Sequence, residues 1–166
     1  MSGSTSARGA VWKLSGSCSG IAATIAAAEY ASAVAESDVE TMRKAFADLA
    51  SEGWESILPL VAEDFELTTP PGLATEPDTY RGEEGMRRYW ESFYEVMDDI
   101  RIEPKEFREV RDWVVIPFKL TARGQASGIE SGIDGVMAWR LRDGLAVRCL
   151  VFGGLDEALA ELETTA

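Results

Sequence analysis

The sequence predicts an α+β domain in which three amphipathic helices pack on a curved, mainly antiparallel sheet. Apolar residues recur at helical spacing between residues 39 and 97, and beyond residue 100 they alternate with polar ones. An Asp143-Gly144 pair between the last two alternating segments marks a tight hairpin, because glycine accepts positive φ without strain. Helices followed by strands, in that order, bury the helical stripes against one face of the sheet.

The first helix opens at Ser37, where Ser37-Asp38-Val39-Glu40 forms a capping box. Val39, Met42, Phe46 and Leu49 give it a single apolar stripe, and Gly53 ends it. Trp54, Ile57, Leu58 and Val61 repeat the stripe on a short second helix, whose Pro59 is tolerable only near the first turn. Phe65, Leu67 and Thr69 then alternate with Glu66 and Thr68 in a strand that runs into the Pro70-Pro71-Gly72 turn. Glu83 to Met97 is the third helix, with Met86, Trp90, Phe93 and Met97 on one side and acids at its positive end.

Strands follow. Ile100 to Val110 and Trp113 to Arg123 flank Arg111-Asp112, and Ile129 to Arg142 and Leu145 to Phe152 flank the hairpin turn. Residues 145–152 are apolar on both parities except at Arg148, so the outer sheet face is expected to be covered as well. Val147, Cys149 and Val151 are the residues expected to meet a second subunit there, as a homodimer.

At 166 residues the chain falls in the usual one-domain range of roughly 100–200 residues. Residues 1–36 are expected to form a flexible segment, rich in Ser and Gly up to residue 20, with a possible short alanine-rich helix after it. Residues 37–166 form the expected domain. The alanine-rich stretch after Arg8 and Lys13 has some character of a secretory leader, but Glu29 interrupts it, and a cytoplasmic location is the expectation. A net charge of −13 repels phosphate backbones and anionic membrane surfaces, so neither is an expected partner. Cys18 and Cys149 lie far apart without metal-ligand spacing, which indicates neither a zinc site nor a disulfide framework. The chain has no histidine, so acid-base chemistry would fall to Asp, Glu, Tyr, Lys or Cys.

Taken together, the capped first helix, Gly53 before a short helix, the strand ending at Pro70 and Tyr80-Arg81-Gly82 opening the third helix form a pattern. The final hairpin Trp139-Arg140-Leu141-Arg142-Asp143-Gly144 and the closing Asp156-Glu157-Ala158-Leu159 complete it. Across about residues 37–160 the chain resembles SnoaL-like proteins of the nuclear transport factor 2-like superfamily, which implies a cone-shaped fold and a dimer through the sheet. The superfamily includes ketosteroid isomerases, polyketide cyclases, epoxide hydrolases and dehydratases, so the fold alone selects no reaction. An isomerase of this class has an aspartate base just before the proline that ends the first strand, a tyrosine donor on the first helix and a protonated acid on a late strand. Here those first two positions carry Thr69 and Phe46, which offer neither a base nor a donor. The aspartate-histidine pair of related cyclases is incomplete too, for want of histidine.

The remaining catalytic candidates are Asp134 or Glu130 as acid-base group, Tyr80 as donor and Arg148 as anion stabiliser. Strict alternation turns Asp134 outward if Met137 and Trp139 face in, unless Gly132 and Gly135 host a bulge. Arg148 shares its parity with Ala146, Leu150 and Phe152, and either binds a ligand anion or pairs with an acid such as Glu66. The expected pocket walls are Phe46, Trp54, Leu58, Phe65, Leu67, Thr69, Trp90, Phe93, Met137, Trp139 and Phe152. The expected ligand is a small apolar metabolite, bound without metal or organic cofactor. The reading divides between a lyase, isomerase or cyclase and a non-catalytic ligand-binding or dimerisation module.

Overall fold

The structure is a computed structural model that describes residues 38–74 and 78–165, all within the unit Ala33–Ala166. Ser37 of the capping box, Cys18 and the whole of the expected N-terminal segment lie outside the described residues. Helix α1 occupies residues 38–52, and its stripe of Val39, Met42, Phe46 and Leu49 packs into the core as its spacing requires. Gly53, at φ 96°, ends it in a conformation that L side chains avoid.

The second helix is a 3-10 turn, Trp54–Leu60, not an α-helix. Pro59 lies inside it, and a residue without N–H favours so short an element over a longer α-helix. Val61 therefore leaves the helix and opens strand β1, Val61–Thr68, four residues earlier than its alternation suggests. A short β2, Thr79–Arg81, leads into helix α2, Gly82–Tyr94. Met97, expected on that helix, starts β3, Met97–Pro104, instead. The next stretch is two strands where one was expected, because Pro104 ends β3 and β4 resumes only at Arg108–Val110. Strands β5, Trp113–Gly124, β6, Glu130–Arg142, and β7, Leu145–Phe152, match the expected segments closely. Asp143 and Gly144 turn between the last two with φ of 53° and 77°, as a tight hairpin requires.

The strands form one sheet in the order β2-β1-β7-β6-β5-β3, with β4 also paired to β5. All neighbours are antiparallel except β1 and β7, which run parallel. Register shifts between Val61 and Glu66, Asp98 and Arg101, and Arg140 and Leu141 bend the strands around the helices.

The inner face carries the main core. Val114, Ile116, Phe118, Met137, Trp139, Cys149 and Val151 meet Met42, Phe46, Met86 and Trp90 there. Trp113, Val115, Val136, Ala138, Leu150 and Phe152 form a separate cluster on the outer face. A helix that the alternation analysis did not anticipate, α3, Leu155–Thr164, covers that cluster with Ala158 and Leu162.

This reverses the expected faces of β7. Arg140 pairs with Arg148 but Leu141 with Ala146, so Val147 is an extra residue that lets Ala146 and Cys149 both face inward. Cys149 and Val151 are thus interior residues rather than subunit contacts, and Arg148, Leu150 and Phe152 take the outer face. No helix among the described residues is long and apolar enough to cross a membrane.

Candidate functional site

Between the helices and the inner sheet face the core narrows to a cavity of about 10 Å³. That is room for about one water molecule. Its walls are Phe46 and Leu49 from α1, Ile57, Leu67 of β1, Met86, Tyr89 and Trp90 of α2, Ile102, Met137, Trp139 and Cys149. The indole N–H groups of Trp90 and Trp139 are both buried there without an acceptor among the described residues. Burial raises the ionisation of Tyr89 above the usual phenol range, with Cys149 and Tyr80 adding to it, and burial alone raises the Cys149 thiol. At neutral pH the innermost polar groups are therefore uncharged donors: two indoles, a phenol and a thiol.

A larger cavity of about 280 Å³ lies beside this one and shares Leu49, Trp90 and Ile102 with it. Trp54, Tyr94 and Ile100 extend its apolar wall, and Ala50, Arg101 and Glu103 complete it. Trp90, with Leu49 and Ile102, stands between the two spaces. Its ring packs edge-on to Tyr89, 5.7 Å between centroids, and tilted against Phe93 at 6.4 Å. A third space, about 170 Å³, opens between Leu73, Ala74, Phe93, Met97, Leu120 and the strand residues Ser131 to Ile133.

The four catalytic candidates do not converge. Asp134 faces outward because its neighbours Met137 and Trp139 face in, and no bulge interrupts β6 against β5 to turn it round. Its carboxylate is exposed and lies 2.5 Å from Lys105 Nζ. The hydrogen bond from Lys105, reinforced by the charges of Lys105 and Lys119, holds it below the usual carboxylate range. Glu130 is exposed at the start of β6 and borders a cleft of about 60 Å³ with Asp99, Arg101 and Arg123.

Tyr80 is buried edge-on to Tyr89 at 5.3 Å, with the Arg88 guanidinium 4.7 Å above its ring, outside the walls of the cavities described. Arg148 lies opposite both Glu66 and Arg140 on the outer face. Glu66 binds Arg81 at 2.8 Å instead, and Arg148 Nε is buried without an acceptor among the described residues.

The expected wall residues lie closer to the cavities. Phe46, Leu67, Trp90, Met137 and Trp139 line the inner cavity, Trp54 the larger one and Phe93 the third. Leu58 and Phe65 are core residues away from these walls, Phe65 stacking on Trp139 at 6.0 Å. Thr69 is buried just beyond β1, its hydroxyl without an acceptor among the described residues. Phe152 is corrected to the outer cluster, for the reason that moves Arg148.

The site also has members that the residue patterns did not select. Tyr89 was within reach: Met86, Tyr89, Trp90 and Phe93 stand at i, i+3, i+4 and i+7, the full width of a core-facing stripe. Cys149 was hidden by the bulge, which no local residue type announces. Arg101 and Glu103 border the larger cavity at the sheet edge, where β3 is the last strand.

Comparison with known proteins agrees with this architecture. The sequence profile of the SnoaL-like domain matches residues 42–149. An NTF2-like protein of unknown function from Burkholderia pseudomallei superposes with a TM-score of 0.63 at 19% identity, covering 74% of this chain and 95% of its own. TerC, co-crystallised with polyporic acid, gives 0.62 at 26% identity over 75% of this chain and 96% of its own. A Catenulispora acidiphila protein with a ketosteroid isomerase-like fold, solved in complex with trimethylamine, gives 0.58 at 14% identity over 70% and 88%. No curated protein matches the chain. With one sheet wrapped on its helices, its core closed around Trp90 and Trp139, and the family profile spanning most of the domain, the chain belongs to the SnoaL-like domain family.

Proposed function

We propose that this domain binds a small, largely apolar molecule and holds it without chemical change, in the 280 Å³ cavity against Trp54 and Trp90. That volume is close to the lower end of ligand pockets, about 300 Å³. One observation carries the reading: the polar groups of the inner core are neutral donors, whereas the carboxylates Asp134 and Glu130 lie exposed at the sheet surface. A lyase, isomerase or cyclase without a cofactor needs a proton acceptor beside the reacting carbon, with an ionisation matched to its task. Asp134 is shifted the wrong way for a general acid and is already committed to Lys105. Among the described residues Glu103 is the one carboxylate that borders the larger cavity, and it is exposed. Relatives solved with polyporic acid and with trimethylamine support small-molecule binding in this fold.

The test is tryptophan fluorescence quenching by a panel of two-ring aromatic probes. Saturable, one-site quenching is expected, because the probe would lie against Trp90 and Trp54. Ala50 is exposed on α1 and borders the cavity, so Ala50→Trp fills the space without disturbing the core. It should abolish saturable quenching while leaving the melting temperature unchanged. Unaltered binding in that variant places the ligand elsewhere. Conversion of a bound probe that depends on Glu103, lost in Glu103→Gln, would replace the binding reading with the enzymatic one.

A further inference from the structure

Arg148 of β7 carries a charge that the fold leaves without compensation. Its Nε is sealed from solvent and has no acceptor, and no other charged side chain among the described residues is in that position. Buried polar atoms nearly always find a partner, and a charged group costs more to leave unpaired than a neutral one. The residue as a whole is half-buried, which leaves the terminal nitrogens as the part of the guanidinium that an outside group can meet.

The cross-strand neighbours show why no internal partner is at hand. Inward-facing Leu67, Cys149 and Trp139 turn Glu66, Arg148 and Arg140 outward, in one row across β1, β7 and β6. Arg81 of β2 extends the row beyond Glu66. Glu66 is drawn away to Arg81, at 2.8 Å, and Arg140 to Asp112, with its guanidinium 5.8 Å above the Trp113 ring. Arg148 is left between an acid already taken and a second arginine directly opposite, a like-charge pair that destabilises the sheet. Three arginines thus share two carboxylates along the row, an excess of one positive charge in a chain of net charge −13.

We propose that Arg148 is the centre of a carboxylate-binding site on the outer face of the sheet. The terminal nitrogens of a guanidinium meet a carboxylate end-on with two N–H···O bonds, a match that an ammonium does not reproduce. Partial removal of Arg148 from water strengthens that pair relative to one on an open surface. One excess positive charge calls for one carboxylate. The site lies across the sheet from the inner cavity and does not depend on the ligand-binding reading above. Its carboxylate comes from a small free acid or from an acidic side chain of a second copy, and the two sources differ in their dependence on protein concentration.

Two readouts test this. One is the melting temperature in sodium acetate against sodium chloride of equal ionic strength. The other is the Arg148 Nε–H signal in heteronuclear NMR spectra, assigned by its absence in Arg148→Met. In the native chain acetate is expected to shift that signal saturably and to bind about tenfold tighter than chloride, the worth of one charge-assisted hydrogen bond. Arg148→Met should lose the saturable rise in melting temperature and keep only the general salt effect. Arg148→Lys should retain part of the acetate preference. An acetate shift that is the same at every protein concentration supports the proposal with a free acid as the source. A shift that appears without acetate as protein concentration is raised, together with a dimer in sedimentation, supports it with a second copy as the source. Equal responses to acetate and chloride overturn it, as does an acetate response that survives in Arg148→Met, or a signal that neither acetate nor protein concentration moves.

Discussion

Gly135 lies where β6 passes from its exposed half to its buried half, and it has little space around it. A Cβ built there would stand 2.7 Å from Phe118 Cζ and 3.3 Å from the carbonyl oxygen of Phe152. Both neighbours are part of packed layers, so relief requires movement of a core ring or of a strand. Gly135→Ala is expected to destabilise by about 1–3 kcal/mol, the usual cost of overpacking, measured by denaturant titration. The adjacent Asp134 behaves differently. Its exposed pair with Lys105 should leave Asp134→Asn with unchanged ligand affinity, since the carboxylate faces away from every tryptophan of the inner face. Cys149 is fully buried with its thiol held protonated, so maleimide labelling of it should require unfolding and should track the denaturant transition.

At the level of elements, α3 gives the outer face its cover. Leu155, Ala158 and Leu162 recur at spacings of 3 and 4, and Ala158 and Leu162 are completely buried on the cluster of Trp113, Val136 and Phe152. Leu162→Ala is expected to cost about 2–5 kcal/mol, as for other buried leucines, without altering quenching by probes in the larger cavity. The two halves of that outcome distinguish a supporting element from a site element. The same element marks a boundary of what residue patterns disclose. Stripes on α1 and α2, alternation in β5 and β6 and the Asp143-Gly144 turn were legible because each is a local periodicity or a local φ requirement. The bulge beside Arg140 was not, since one extra residue in β7 depends on how β6 bends, and it exchanged the faces of Arg148 and Cys149. The inner tryptophans and Phe46 could be placed from their stripes, whereas the rim of the larger cavity depends on β3 being the edge strand, which no spacing encodes.

For the molecule as a whole the acid excess sets the response to pH. Three aspartates have ionisations lowered from 3.8 in the folded state: Asp64 chiefly by the hydrogen bond from Arg142, Asp78 by the Thr79 N–H and then Arg88, and Asp134 by Lys105. Asp64 and Asp134 tie β6 to β1 and to the segment after β3, contacts that exist only when the sheet is assembled. A carboxyl whose folded value is depressed binds protons more readily in the unfolded chain, so its contribution is complete above 3.8 and disappears as pH falls through the folded value. Asp38 opposes this: burial, with Glu109 nearby, raises its ionisation, so what it contributes is complete below 3.8 and lost as pH rises. Mutual repulsion of the −13 net charge also weakens on acidification. The three depressed carboxyls belong to solvent-exposed pairs, which contribute little each, and Asp38 opposes them, so the expected balance is a melting temperature roughly constant from neutral pH to about pH 5 and falling only modestly below about pH 4. Calorimetry across that range tests it. Replacing Lys105 with Met removes the main cause of the Asp134 shift and should make the acid limb shallower, because less stability remains to be lost there. If the melting temperature instead climbs steadily below pH 4, relief of charge repulsion outweighs the three pairs, and added salt at neutral pH should then reproduce the same gain.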